Sequence, residues 1–226
     1  MKSLIGKKAG MTHIFDESGD EIPVTVLEMG PCPVTQIKSV EKDGYEAIQL
    51  AFEPFQKKDQ RKFKKPQIGH FNKANIKPYC HLREFRVEDG PEKLSVGDVL
   101  TVEIFNDVEF VSVTATSKGR GFAGVVKRHG FSGANMTHGA HEQFRHPGSI
   151  GMCNFPGRVL PGKKLPGQYG SKKVKTLNLE VVKIFLERNI LLVKGATPGP
   201  NGSIVTVEQS SRKKKRGKLE PITKKT

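Results

Sequence analysis

Residues 118–175 hold twelve Gly and four Pro, with eleven Lys and Arg against a single acid, Glu142. Apolar residues are scattered through the stretch, and no helical or alternating period persists in it. A loop this long is rare inside a compact domain, where it is either functional or disordered. Its position is what limits the fold. Residues 21–28, 34–40, 45–52, 99–105 and 110–116 read as strands from their β-branched content and partial alternation, and so do 174–182, 190–193 and 203–208. Strand sequence on both sides makes the stretch an insertion within a β body rather than a tail.

The expected fold is therefore mainly β: a closed antiparallel β-barrel body with a long glycine-rich basic insertion and a basic C-terminal tail. Turn signals at 17–20, Asp43-Gly44, 95–98 and 198–202 separate short strands, as in a barrel or sandwich. Closure also removes exposed edges. Residues 181–188 are nearly continuously apolar and read as strand or as a short helix. The expected division gives 1–117 and 174–211 to the body, including a basic connecting segment at 55–86. It gives 118–173 to an extended arm and 212–226 to the tail.

Cys32, Cys80 and Cys153 are few, odd in number and far apart, so neither a disulfide framework nor a C-x-x-C pair is expected, and a reduced cytoplasm fits. Cys32, between Pro31 and Pro33, reads as a turn residue. Residues 1–8 lack an apolar signal region, and no window approaches the ~18 apolar residues of a membrane helix. Neither secretion nor membrane insertion is expected.

The chain has 38 Lys and Arg against 23 Asp and Glu, a net charge of +15. Three stretches carry the excess: 55–86 at net +8, 118–175 at net +10 and 212–226 at net +7, which leaves −10 on the remainder. This is an acidic body with three basic arms. Like charges crowded together repel unless a polyanion neutralises them. Nucleic acid suits the pattern better than an anionic membrane, because no amphipathic helix accompanies the charge. The run Arg212-Lys213-Lys214-Lys215-Arg216 fits nuclear import, an anionic surface or an RNA-binding tail equally.

Within the insertion, Lys118, Arg120, Lys127, Arg128, Arg145, Arg158, Lys163, Lys164, Lys172 and Lys173 are candidates to neutralise RNA phosphates. Phe122, His129, Phe131, His138, His141 and Phe155 are candidates to stack on bases or wedge between them. Two other patterns compete. Gly119-Arg120-Gly121-Phe122-Ala123-Gly124 is a literal G-x-G-x-x-G, yet Gly130, Gly133 and Gly139 interrupt the helix that a dinucleotide site needs. No cofactor and no small-molecule substrate are expected. His138, His141 and Glu142, with His129 and His146 nearby, could point to metal or hydrolytic chemistry, but the order is not H-E-x-x-H. Loop histidines that meet phosphate or base are the favoured reading, with no metal and no catalytic residue. The rivals are an RNA-processing enzyme using those residues and a free RNA chaperone.

The residues also resemble a known family. Leu4-Ile5-Gly6-Lys7-Lys8-Ala9-Gly10-Met11-Thr12 is similar to the opening of the bacterial-type ribosomal large-subunit protein L three family. Gly69-His70-Phe71 fits its middle. Gly119-Arg120-Gly121-Phe122-Ala123-Gly124-Val125-Val126-Lys127-Arg128-His129-Gly130-Phe131 matches its most characteristic block. His138-Gly139-Ala140-His141, Pro147-Gly148-Ser149-Ile150-Gly151, Pro156-Gly157-Arg158-Val159 and Gly162-Lys163-Lys164-Leu165-Pro166-Gly167-Gln168-Tyr169-Gly170 continue it. The resemblance implies a barrel at the ribosome surface and a long extension into the large subunit that binds 23S rRNA. It implies that a tip formed by Gly148, Ser149, Ile150, Gly151, Met152, Cys153, Asn154, Phe155 and Pro156 approaches the peptidyl transferase centre. It further implies early binding in subunit assembly, neighbouring large-subunit proteins as partners, and no catalysis. Some members carry a methylated glutamine in this tip; residues 151–156 contain no Gln here.

Overall fold

The computed structural model describes residues 2–55, 64–87 and 94–211. The basic tail at 212–226, and Lys57, Lys58, Arg61 and Lys62 of the first basic stretch, lie outside the described residues. The chain divides into two compact units, Met1–Thr116 with Lys173–Thr226, and Ser117–Lys172.

The larger unit contains β1 (Ser3–Phe15), β2 (Glu21–Met29), β3 (Cys32–Lys38), β4 (Ala47–Pro54), β5 (Tyr79–Arg86), β6 (Val99–Leu100) and β7 (Phe110–Thr116). The smaller unit contributes β8 (Phe122–Ala123) and β9 (Gly167–Gln168), and the larger resumes with β10 (Lys173–Phe185), β11 (Ile190–Lys194) and β12 (Ile204–Gln209). Six strands close an antiparallel barrel in the order β1-β12-β7-β10-β11-β2, with β2 pairing back to β1. A second sheet runs β5-β4-β3-β6. Leu4, Leu27, Val113 and Val207 of the barrel share one buried cluster with Leu50, Phe52 and Phe85 of the second sheet. The barrel and the second sheet thus share one core. For this reason residues 3–6 of β1 and 111–115 of β7 are buried consecutively, where a barrel strand facing water would alternate.

Polar side chains tie the second sheet together. Lys38 of β3 lies 2.9 Å from Glu84 of β5, and the Tyr45 hydroxyl donates to Glu84 at 2.9 Å. The Lys38 hydrogen bond holds the Glu84 carboxyl below the usual carboxylate range.

The closed barrel matches expectation, and the differences have identifiable causes. No strand was expected at β1, because its Gly and Lys residues break the alternation and its register with β2 shifts between Lys8 and Gly10. A side chain at Gly6 would meet Glu28 O at 2.5 Å, so Gly lets β1 lie this close to β2. Lys8 is buried and donates its Nζ to Thr197 O at 2.8 Å, which keeps a charge inside with a partner. The strand expected over 99–105 ends at Leu100. Val102–Phe105 is a 3₁₀ turn that buries Val102 and Phe105, which fall on one face at that spacing.

Residues 181–188 form no helix. β10 runs on to Phe185, paired with β11, and Val181, Val182 and Ile184 are β-branched. Cys32 is not a turn residue. It opens β3, is fully buried, and its S–H donates to Ile5 O at 3.3 Å. Burial pushes its thiol up to about 12. The 55–86 segment is more than a connector or arm: α2 (Lys65–Lys73) buries Phe71, and β5 is the neighbour of β4. Ahead of it, α1 (Val40–Asp43) takes the last residue of the strand expected over 34–40. No helix among the described residues is long and apolar enough to cross a membrane.

Iodoacetamide at mildly alkaline pH should label the exposed Cys153 in the native chain but reach Cys32 only after denaturation, read by peptide mass spectrometry. Rapid native labelling of Cys32 would contradict its place in the core.

Candidate nucleic-acid interface

Ser117–Lys172 has almost no interior to fold around. Among its residues only Ala123 and Val125 are buried. Its shape is held instead by polar links between distant parts of the chain. β8 and β9 pair antiparallel, Phe122 opposite Gln168 and Ala123 opposite Gly167. The Arg120 N–H donates to Tyr169 O, and the Tyr169 N–H to Gly121 O, each at 2.9 Å. The Ser117 N–H donates to Lys172 O at 2.9 Å. Gly170 sits at φ 75, and any side chain there would collide with Lys118 O. Residues 117–123 and 167–172 therefore run as a narrow ladder.

Beyond the ladder, α3 (Val125–His129) opens after Gly124 and ends at Gly130, which is left-handed at φ 73. A helix does open at the G-x-G-x-x-G run, contrary to expectation, but it has five residues, and the strand inside the motif pairs antiparallel. The βαβ unit that a dinucleotide site requires is not formed.

Arg128 and His129, both half-buried, turn inward. Arg128 Nη1 donates to Leu165 O at 2.6 Å, and His129 Nε2 lies 3.1 Å from the same oxygen. They clamp the α3 segment to the strand of chain that leads into β9. The Arg120 guanidinium lies over the Tyr169 ring, 5.3 Å from its centre. The His129 and Phe131 rings are 6.1 Å apart.

The other cations of the unit face outward. Lys118, Lys127, Arg145, Arg158, Lys163, Lys164 and Lys172 are exposed. Lys173 belongs elsewhere: strand pairing extends one residue further than expected and places it in β10, opposite Thr116. Phe122 and Phe155 are 78% and 86% exposed. His138 and His141 are exposed and left-handed, at φ 58 and 45. Among the described residues no group of three or more His, Cys, Asp and Glu is placed to hold a metal ion.

Of the nine residues Gly148, Ser149, Ile150, Gly151, Met152, Cys153, Asn154, Phe155 and Pro156, all but Pro156 are exposed. Ser149 Oγ donates to Gly151 O at 2.9 Å, and the Cys153 thiol donates to Asn154 Oδ1 at 3.4 Å. Exposed cations interspersed with exposed rings are what a strand of phosphates and flat bases engages. Sequence reasoning did not single out Met136, 80% exposed, or Leu160, 58% exposed, because isolated apolar residues carry no period. The carbonyl of Leu165 carries no sequence signal at all.

A model of the family described as Ribosomal protein L3 matches residues 84–188, a span that includes the whole of the smaller unit. Proteins named Large ribosomal subunit protein uL3 from Corynebacterium jeikeium, Corynebacterium efficiens and Corynebacterium glutamicum are each 50% identical to this chain over 208 residues. The match covers 92% of this chain and 94% of each of theirs. The chain belongs to the ribosomal protein L3 family. The L3 family match begins inside β5 and ends beyond β10, so it joins the second sheet, the coreless unit and the barrel in one span.

The ladder makes a checkable claim. Gly170→Ala should speed amide exchange at Arg120 and Tyr169 by roughly tenfold or more, with the barrel's urea midpoint unchanged. Unaltered exchange at those two amides would show that the ladder does not depend on glycine.

Proposed function

We propose that this chain is a structural protein of the large ribosomal subunit that binds 23S rRNA directly through Ser117–Lys172. One observation carries the reading: a compact unit with two buried side chains has nine Lys and Arg against Glu142 alone, and leaves Phe122 and Phe155 exposed. RNA supplies both things the unit lacks, a packing surface and a counter-charge. Family membership supports the same conclusion, since the relatives are large-subunit proteins and the L3 family is structural rather than enzymatic. That family role gives no support to an RNA-processing enzyme.

In this reading Lys118, Arg120, Lys127, Arg145, Arg158, Lys163, Lys164 and Lys172 lie along rRNA phosphates, with Lys173 at the root. Phe122, Phe131, His138, His141 and Phe155 meet bases. Arg128 and His129 contribute by holding Leu165 in place. The segment from Gly148 to Pro156 is the tip that approaches the peptidyl transferase centre, and neighbouring large-subunit proteins complete the surroundings. Binding early in assembly follows from the same logic, because the unit gains its packing when it meets RNA. The ribosomal setting is cytoplasmic.

Each phosphate contact releases condensed counterions, so affinity should fall linearly with salt on a log–log plot. Replacing Lys163 and Lys164 with Gln should flatten that slope by about two. An rRNA affinity insensitive to salt would contradict the reading. Replacing residues 117–172 with a short linker should leave the sheet signal in circular dichroism intact and abolish tight rRNA binding, because Thr116 and Lys173 already face each other. Loss of the sheet would make the unit part of the core. The full chain should also sediment with large subunits in moderate salt, whereas a free chaperone stays light.

A further inference from the structure

The smaller unit also contains a hollow of about 520 Å³ that the charge reading leaves unused. One wall is the chain from Gly130 to Ala134, and the other holds Gln143, His146 and Pro147-Gly148. We propose that this hollow, walled by Phe131, Gln143 and His146, receives a single unpaired RNA base. The proposal rests on the RNA-binding reading and adds to it the kind of nucleotide recognised.

Size and chemistry both point this way. The volume falls within the ~300–1,000 Å³ of small-ligand cavities. Phe131 offers a ring, and the neighbouring His129 ring, itself anchored on Leu165 O, lies 6.1 Å from it. Gln143 offers a carboxamide with both donor and acceptor, and His146 an imidazole with the same pair. Neither side chain makes a hydrogen bond within the described residues. A flat ring beside an amide that can pair with a base edge is how proteins read unstacked bases. A base inside a duplex cannot reach such a hollow without leaving its stack.

The walls are fixed before any ligand arrives. The Ala134 N–H donates to Phe144 O at 3.1 Å, which pins one wall to the other. Gly133, at φ 77, passes so close that a side chain would collide with Phe144 O. Gln143 and Arg145 lie on one 3₁₀ turn, His141–Arg145, with His146 as its C-terminal cap. Arg145 supplies a cation for a phosphate flanking the base, and Glu142 is the one acid on that turn.

The test compares two probes on the full chain: a short oligoadenylate, and an abasic sugar–phosphate strand of equal length. The second keeps the phosphates and lacks the bases. The wild-type chain should bind oligoadenylate about tenfold more tightly than the abasic strand. Phe131→Leu and Gln143→Ala should each lower that ratio severalfold, and Gln143→Ala should leave the abasic affinity and its salt slope unchanged. Gln143 is exposed, so its replacement tests the site without threatening the fold. Adenosine, which carries a base and no phosphate, should shift the His146 ring signals in NMR spectra. A ratio unaffected by both variants, or variants that weaken both strands equally, would overturn the base site while leaving the electrostatic reading intact. Failure of the wild-type chain to bind either strand would overturn both.

Discussion

Antiparallel pairing of β7 with β10 sets Thr116 opposite Lys173, and the rest of the chain's organisation depends on that pair. The barrel's hydrogen-bond ladder stays continuous across β7 and β10, although residues 117–172 leave the barrel between them. Loop-closure entropy rises only slowly with loop length, so a long excursion destabilises the barrel little more than a short one. Within the smaller unit, Ser117 and Lys172 bond in the same manner and begin a second ladder. The fold can therefore carry an elaborate insertion while its core is built elsewhere.

The two units obey different physics. In the larger one, apolar burial does the organising: one cluster joins barrel and second sheet, and even Cys32 and Lys8 are taken inside with partners. In the smaller one burial is nearly absent, and geometry comes from backbone ladders, close-passing glycines and the Arg128–Leu165 clamp. Such links fix the path of the chain without filling space. Exposed cations beside the exposed rings of Phe122 and Phe155 suit a partner that is both anionic and flat-faced. Nucleic acid meets both requirements at once.

Most of the barrel was legible in the sequence because its strands are rich in β-branched residues and separated by Gly-containing turns. β7 is the clearest case, with Val111, Val113 and Thr114 in a run bounded on both sides. β1 was hidden, because Gly6, Gly10 and adjacent lysines mask a strand whose register shifts midway. Charge concealed α2 and β5, whose single buried aromatics, Phe71 and Phe85, are too sparse to show a period. The 3₁₀ turn at Val102–Phe105 imitated a strand because apolar residues at both ends of a short run suit either form. In the candidate interface, residue types were readable and roles were not. Lys127 and Arg128 look alike as neighbours in sequence, yet one is exposed and the other bonds a carbonyl from a distant loop. Likewise Phe131 and His146 meet around one hollow only because the Ala134–Phe144 bond folds the chain back.

Ultraviolet crosslinking of this chain within assembled large subunits, with the crosslinked peptides and nucleotides sequenced, tests the central claim most directly. The account predicts that crosslinks to rRNA concentrate in Ser117–Lys172, with the outward rings of Phe122 and Phe155 among the modified positions. Crosslinks confined to the barrel, with Ser117–Lys172 touching no rRNA in the complete subunit, would contradict it.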